Sequence, residues 1–112
     1  MSPALDRFAT AVAAAEGVSL KSLAPIEQLE VRTRNSTYQI TLLGSGRVMV
    51  LGGAFFPVRT EAQLPGSTLG GCFLKMDWVG LGLCMEFLHE GQRIITTPVQ
   101  EIRVLGSPTY LC

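Results

Sequence analysis

From Gln28 onward, apolar and polar positions alternate with a period of two. Leu29, Val31 and Thr33 fall on one face, and Glu30, Arg32 and Arg34 on the other. After Asn35-Ser36 the phase flips, so that Tyr38, Ile40 and Leu42 carry the apolar side. A one-residue slip within strand-like sequence predicts a bulge or tight turn at residues 34–37. Gly44-Ser45-Gly46 supplies a short hairpin loop into a strand over residues 47–51. Residues 52–66 read as irregular, being punctuated by Gly52-Gly53, Phe55-Phe56-Pro57 and Pro65-Gly66, and a strand follows over residues 68–75. The most regular alternation is Val79, Leu81, Leu83, Met85 and Phe87, which predicts a core strand over residues 78–88. Its opposite face begins with the small residues Gly80, Gly82 and Cys84, so another element can approach closely there. Glu90-Gly91 is a two-residue turn leading to a strand over residues 93–105. Pro98 cannot donate to a ladder, so it predicts an interruption or an edge position midway along that strand.

Upstream, the period lengthens. Leu5, Phe8, Ala9, Val12 and Ala13 recur at helical spacing, with Ser2 as cap, Pro3 in the first turn and Gly17 as stop. One N-terminal α-helix is predicted over residues 2–16, and at that length it must pack on something to persist. The chain then divides into a helix (1–17), a connector (18–27), a β-domain (28–105) and a C-terminal tail (106–112). The expected class is mainly β: a small antiparallel β-barrel or β-roll of about six strands with one N-terminal helix.

Composition sharpens this picture. The 112 residues carry nine bases against nine acids, so no net positive charge marks a nucleic-acid binder. Charged residues make up only 16% of the chain, against about 25% in ordinary soluble domains, so some surface is expected to be covered. The charge-poor regions are the segment after Arg47, residues 78–88 and residues 104–112. No run of about twenty apolar residues predicts a membrane-spanning helix. Ala13-Ala14-Ala15 imitates a signal-peptidase site, but Asp6 stands where a positive region belongs, and no leader is predicted. Three cysteines, Cys72, Cys84 and Cys112, form no close-spaced pair, which predicts reduced thiols and a cytoplasmic location.

Motifs for chemistry are sparse. Cys84 and His89 are five apart on a predicted strand and face opposite ways, so neither a zinc site nor a Cys–His pair is expected. The glycines of residues 66–71 are followed by strand-like sequence instead of the Lys-Ser/Thr and helix of a P-loop. No catalytic residue, metal or cofactor is assigned, and the protein is read as a non-enzyme. Seven of the nine bases are arginine, and Arg32 and Arg34 share a face near Asn35 and Tyr38. Arginines beside an aromatic ring on a small barrel are the chemistry of nucleotide or single-strand binding.

Thr33-Arg34-Asn35-Ser36-Thr37-Tyr38, Gly52-Gly53 with Phe56-Pro57, Gly66-Ser67-Thr68 with Gly70-Gly71, and Thr97-Pro98-Val99 together resemble a group of small bacterial β-rich proteins without assigned function. The chain also resembles, more distantly, PilZ domains, β-barrels that bind a cyclic dinucleotide. Ser67 and Gly70 match that family's Asp/Asn-x-Ser-x-x-Gly turn, while Pro65 takes the place of the acid or amide. Arg32 and Arg34 are two apart where the family has arginines four apart. The arginine face and the turn that this likeness matches together give a candidate ligand set of Arg32, Arg34, Asn35, Tyr38, Ser67 and Gly70. Two functions are therefore expected from the sequence. The first is association with other protein chains, above all with copies of itself as a homo-oligomer. The alternative is binding of a nucleotide or nucleic acid through the arginine face.

Overall fold

The computed structural model describes residues 16–69 and 73–106. The predicted helix over residues 2–16 lies, but for Glu16, outside the described residues, as do Gly70, Gly71, Cys72 and Cys112. The described residues are mainly β. Nine strands follow in order: β1 (Gly17–Ser19), β2 (Gln28–Thr33), β3 (Thr37–Gly44), β4 (Arg47–Gly52), β5 (Phe56–Thr68), β6 (Leu74–Met76), β7 (Trp78–Gly80), β8 (Cys84–His89) and β9 (Gln92–Gly106). A short 3-10 turn, Leu20–Ser22, follows β1 in the predicted connector.

Seven strands form one antiparallel sheet in the order β4-β3-β2-β9-β8-β5-β6, and a further β4–β5 pairing closes six of them into a ring of hydrogen bonds. Two long strands make closure possible by changing neighbours along their length. β5 pairs with β4 through residues 56–63 and with β8 through residues 63–68. β9 pairs with β8 through residues 92–98 and with β2 through residues 99–106. Both strands carry register shifts near the changeover, where the extra residue bends a strand and increases its twist.

The inward residues of the ring make the core. Leu29 and Val31 from β2 meet Tyr38, Ile40 and Leu42 from β3, in the two phases that the alternation predicts. The hinge between them is the turn at residues 34–36. There Thr33 N–H donates to Ser36 O at 2.7 Å, and Ser36 N–H donates to Thr33 Oγ1 at 3.2 Å. Phe56 and Phe87 sit at the centre, with ring centroids 5.1 Å apart and planes at 65°.

Three expectations are corrected. The single strand over residues 78–88 is two, β7 and β8, parted by a turn at Leu81-Gly82 where Gly82 has φ 80°. Leu81 is exposed there, although it continues the period-two pattern. The irregular segment at residues 52–66 is largely β5, the second longest strand of the ring, because its prolines fall where no ladder donor is needed. Pro57 begins a bulge opposite Leu51, and Pro65 lies in the shift between Gln63 and Gly66. The strand over residues 68–75 shrinks to Leu74–Met76, which returns antiparallel along the end of β5.

Candidate functional site

The arginine face is built by β2 and the far half of β9. Register places Arg32 opposite Glu101 and Glu30 opposite Arg103. Arg32 Nε lies 3.3 Å from Glu101 Oε1, and Arg103 Nη1 lies 3.1 Å from Glu30 Oε1. Arg32 Nη1 also donates to Gln100 Oε1 at 3.2 Å. Two arginines and two glutamates thus alternate across the seam and cancel. Exposed pairs of this kind contribute about 0–1 kcal/mol each to stability. Opposite charges face to face do, however, favour one register over its neighbours.

Five of the six residues implicated from sequence are among the described residues, and these five do not converge. Arg32 belongs to this ion-pair lattice. Arg34 and Asn35 are exposed in the turn beyond it, where Arg34 N–H donates to Pro98 O at 3.2 Å. Tyr38 points the other way, into the core, with its ring 6.2 Å from that of Phe87. It offers no stacking platform to a ligand on the arginine face. Ser67 is fully buried. Its hydroxyl donates to Trp78 O at 2.6 Å and accepts from Gly80 N–H at 3.3 Å, so it fastens β7 to β5. Gly70 lies outside the described residues.

Burial pushes the Tyr38 phenol above its usual range, opposed in part by its hydrogen bond with Ser36. The folded chain therefore keeps this proton longer than the unfolded chain. The stability at stake is complete below about pH 10 and is lost as pH rises past the unfolded phenol's value. Tyr38→Phe removes the titration, so its alkaline unfolding should begin at higher pH than in the wild type. Ellipticity followed from about pH 9 to 12 measures this. Coincident curves would show that the phenol ionises as freely folded as unfolded.

A hollow of about 490 Å³ opens at one end of the ring. Its floor is Leu42, Val48 and Leu64, buried residues of β3, β4 and β5. One wall is the connector, with Leu20, Leu23 and Pro25. The connector is held against the ring by Leu20 N–H to Asp77 O at 2.7 Å, Ile26 N–H to Leu42 O at 2.7 Å and Leu42 N–H to Glu27 O at 2.9 Å. Lys21 and Asp77 meet across the rim at 3.6 Å, and Arg47 stands on the opposite side, paired with Glu61 at 3.1 Å. Two of the four non-glycine residues with positive φ among the described residues line this hollow, Ser45 (56°) and Asp77 (55°), and a third, Ile26 (63°), follows the wall residue Pro25 in the chain. Ile26 is the costly one, because a β-branched side chain crowds its own backbone in that conformation.

A second hollow, about 400 Å³, lies over the β8–β9 hairpin between Arg47, Glu61, His89 and Glu90. His89 Nε2 lies 3.5 Å from Glu90 Oε1, and its ring meets the edge of Phe56 at 6.2 Å. Among the described residues no three His, Cys, Asp or Glu gather where they could hold a metal ion. Burial raises the Cys84 thiol, which keeps it protonated near neutral pH.

Several large apolar side chains are exposed. Leu69 and Phe73, at 54% and 53% exposure, lie just beyond the paired end of β5 and β6, and Met76, at 69%, ends β6. β6 is the end of the sheet, so among the described residues its outer edge has no strand beside it. Lys75, the one charged residue of β6, places its ammonium 4.0 Å from the centroid of the Trp78 ring. Sequence reasoning missed this edge because residues 68–75 read as one strand after an irregular segment, not as parts of two paired strands. It missed the hollow because the connector's Leu20 and Leu23 lack any period. Among the described residues no helix is long and apolar enough to cross a membrane. No protein-family model matches the chain, and no curated protein or solved structure matches it either.

Proposed function

We propose that this chain is a non-enzymatic association domain, a small β-barrel that pairs with a second copy of itself along β6. The observation that carries the reading is the open edge of β6 flanked by exposed Leu69, Phe73 and Met76. Ring closure hides the edges of six strands, whereas among the described residues β6 keeps one row of backbone donors and acceptors available to another strand. A two-fold interface sets a surface against itself, so like charges in it repel. Lys75 is the only charge on β6, and the Trp78 ring draws it aside, which leaves the edge apolar and self-complementary. The low charge of the whole chain fits a surface that is covered in the working state. The free, protonated Cys84 thiol fits a reducing, cytoplasmic setting.

Sedimentation velocity at micromolar concentration tests the reading. The wild type should run as a dimer, and the Phe73→Asp/Met76→Asp double variant should run as a monomer with an unchanged far-ultraviolet spectrum. A wild-type monomer at these concentrations overturns it. So does a double variant that stays dimeric.

A further inference from the structure

We infer that the two copies meet in one register, with Lys75 opposite the partner's Lys75 on the two-fold axis, and that Trp78 permits it by holding the Lys75 ammonium out of the seam. This register deepens, and rests on, the association along β6 proposed above. β6 is three residues long, and Lys75 is its middle residue. An axis at Lys75 brings all three residues of each β6 into the new ladder, whereas an axis elsewhere leaves at least one of them without a β6 partner. It also sets Leu74 against the partner's Met76 on both sides of the axis, and apolar cross-strand pairs of this kind stabilise a ladder. The same register brings two ammonium groups face to face, on Cβ atoms about 5 Å apart, and like charges directly opposite oppose pairing.

Trp78 removes that conflict. Lys75 is the register partner of buried Ser67, so its side chain shares the face of Ser67 and lies opposite to Leu74 and Met76. Ser67 in turn holds β7 on this face, through its hydroxyl bond to Trp78 O at 2.6 Å. Here the Lys75 ammonium rests 4.0 Å from the centroid of the Trp78 ring. Among the described residues it has no carboxylate partner, and Asp77, the nearest acid in the chain, is engaged by Lys21 at 3.6 Å. The ring is therefore what draws the charge away from the edge. It cannot swing with the ammonium, because it is seated on two bare backbones. Gly17 of β1 and Gly80 of β7 are register partners, and a Cβ on either would lie 2.5 Å from the ring. The small β1–β7 sheet thereby governs the edge of the large one.

Sedimentation equilibrium of the full chain tests this on the wild type, Trp78→Leu and the Lys75→Gln/Trp78→Leu double variant. Trp78→Leu frees both ammonium groups and should weaken the dimer about tenfold, as two cation–π contacts give way to a repulsion. Raising the salt from about 0.05 to about 0.5 M should recover most of that loss, because salt screens exposed charges. The double variant should dimerise as the wild type does, since no charge remains to be held aside. A ring that acts only through packing would give no recovery with salt and a double variant as weak as Trp78→Leu. Either result overturns the role of Trp78, as does a Trp78→Leu dimer as tight as the wild type. Should Trp78→Leu fold poorly, Trp78→Phe keeps a ring with a weaker pull on the ammonium and should show a smaller loss, equally reversed by salt. The register is read separately. With diamide as oxidant, Lys75→Cys should cross-link into a covalent dimer faster than Leu74→Cys, and the reverse order displaces the axis. A wild-type dimer indifferent to Trp78 leaves the association reading standing, whereas a wild-type monomer removes both.

Discussion

Phe87→Ala will cost the protein about 3–5 kcal/mol of stability, as truncation of a fully buried aromatic does. Phe87 has no exposed surface, and its ring is shared between the two halves of the core. It meets Phe56 edge-on at 5.1 Å and Tyr38 at 6.2 Å, so β8 is joined to β5 on one side and to β3 across the ring. Those strands are fixed by hydrogen bonds around a closed circuit and cannot collapse into the space that the ring leaves. The cost therefore includes a cavity term as well as lost transfer free energy. Against a total stability of about 5–15 kcal/mol, the variant should be partly unfolded at physiological temperature. Urea denaturation measures it: the midpoint falls while the slope holds. A change below about 1 kcal/mol would mean that the ring repacks freely.

Gly66→Ala comes second, and its effect is on backbone instead of side chains. A Cβ at this position collides with the carbonyl oxygen of Lys75, and it would lie 2.9 Å from the Lys75 carbonyl carbon and 3.0 Å from Met76 Cα. Gly66 is flanked on both sides, by Met76 of β6 and Glu86 of β8, so neither strand can yield without losing its pairing. The less anchored strand is β6, three residues long. Displacing it breaks the Gly66–Met76, Ser67–Lys75 and Thr68–Leu74 pairs and strains the Asp77 N–H to Pro65 O bond of 2.7 Å. A loss of about 2–4 kcal/mol is expected, within the large-effect class of backbone substitutions. Amide hydrogen exchange at Leu74–Met76 should accelerate more than elsewhere, and dimerisation should fail with it. Gly82→Ala is the control. Nothing lies within 4 Å of a Cβ there, so only the left-handed φ of 80° is penalised, by about 1–2 kcal/mol. Equal losses at the two sites would show that conformation, not the contact with β6, sets the cost.

The legibility of this fold follows how local each signal is. The phase flip between Val31 and Tyr38, the Gly44-Ser45-Gly46 loop and the Glu90-Gly91 turn are written within a few residues, and each stands where the alternation and the turn residues place it. The break inside residues 78–88 is hidden because a two-residue turn at Leu81-Gly82 preserves parity, so the pattern runs on as if the strand did. In β5, Phe56, Ala62 and Leu64 keep one parity and are buried, but two prolines disguise the strand as a loop. Tyr38 shares the phase of Ile40 and Leu42, so the alternation itself sets it apart from the arginine face. What neutralises Arg32 is Glu101, sixty-nine residues along the chain, and no local pattern announces that partner.

The seam between β2 and β9 is the contact of longest reach in the ring. The neighbouring pairs β2–β3, β3–β4, β4–β5 and β8–β9 join strands that follow one another and can zip from their turns. β2 and β9 must instead find each other across a loop of some seventy residues, whose closure entropy is spent before any pairing rewards it. This seam should therefore be the last to set during folding and should limit its rate. The Arg32–Glu101 and Glu30–Arg103 pairs lie along it. Weak as anchors in the finished protein, they act at the moment of closure, when a slip of one residue would turn the whole of β2 inside out.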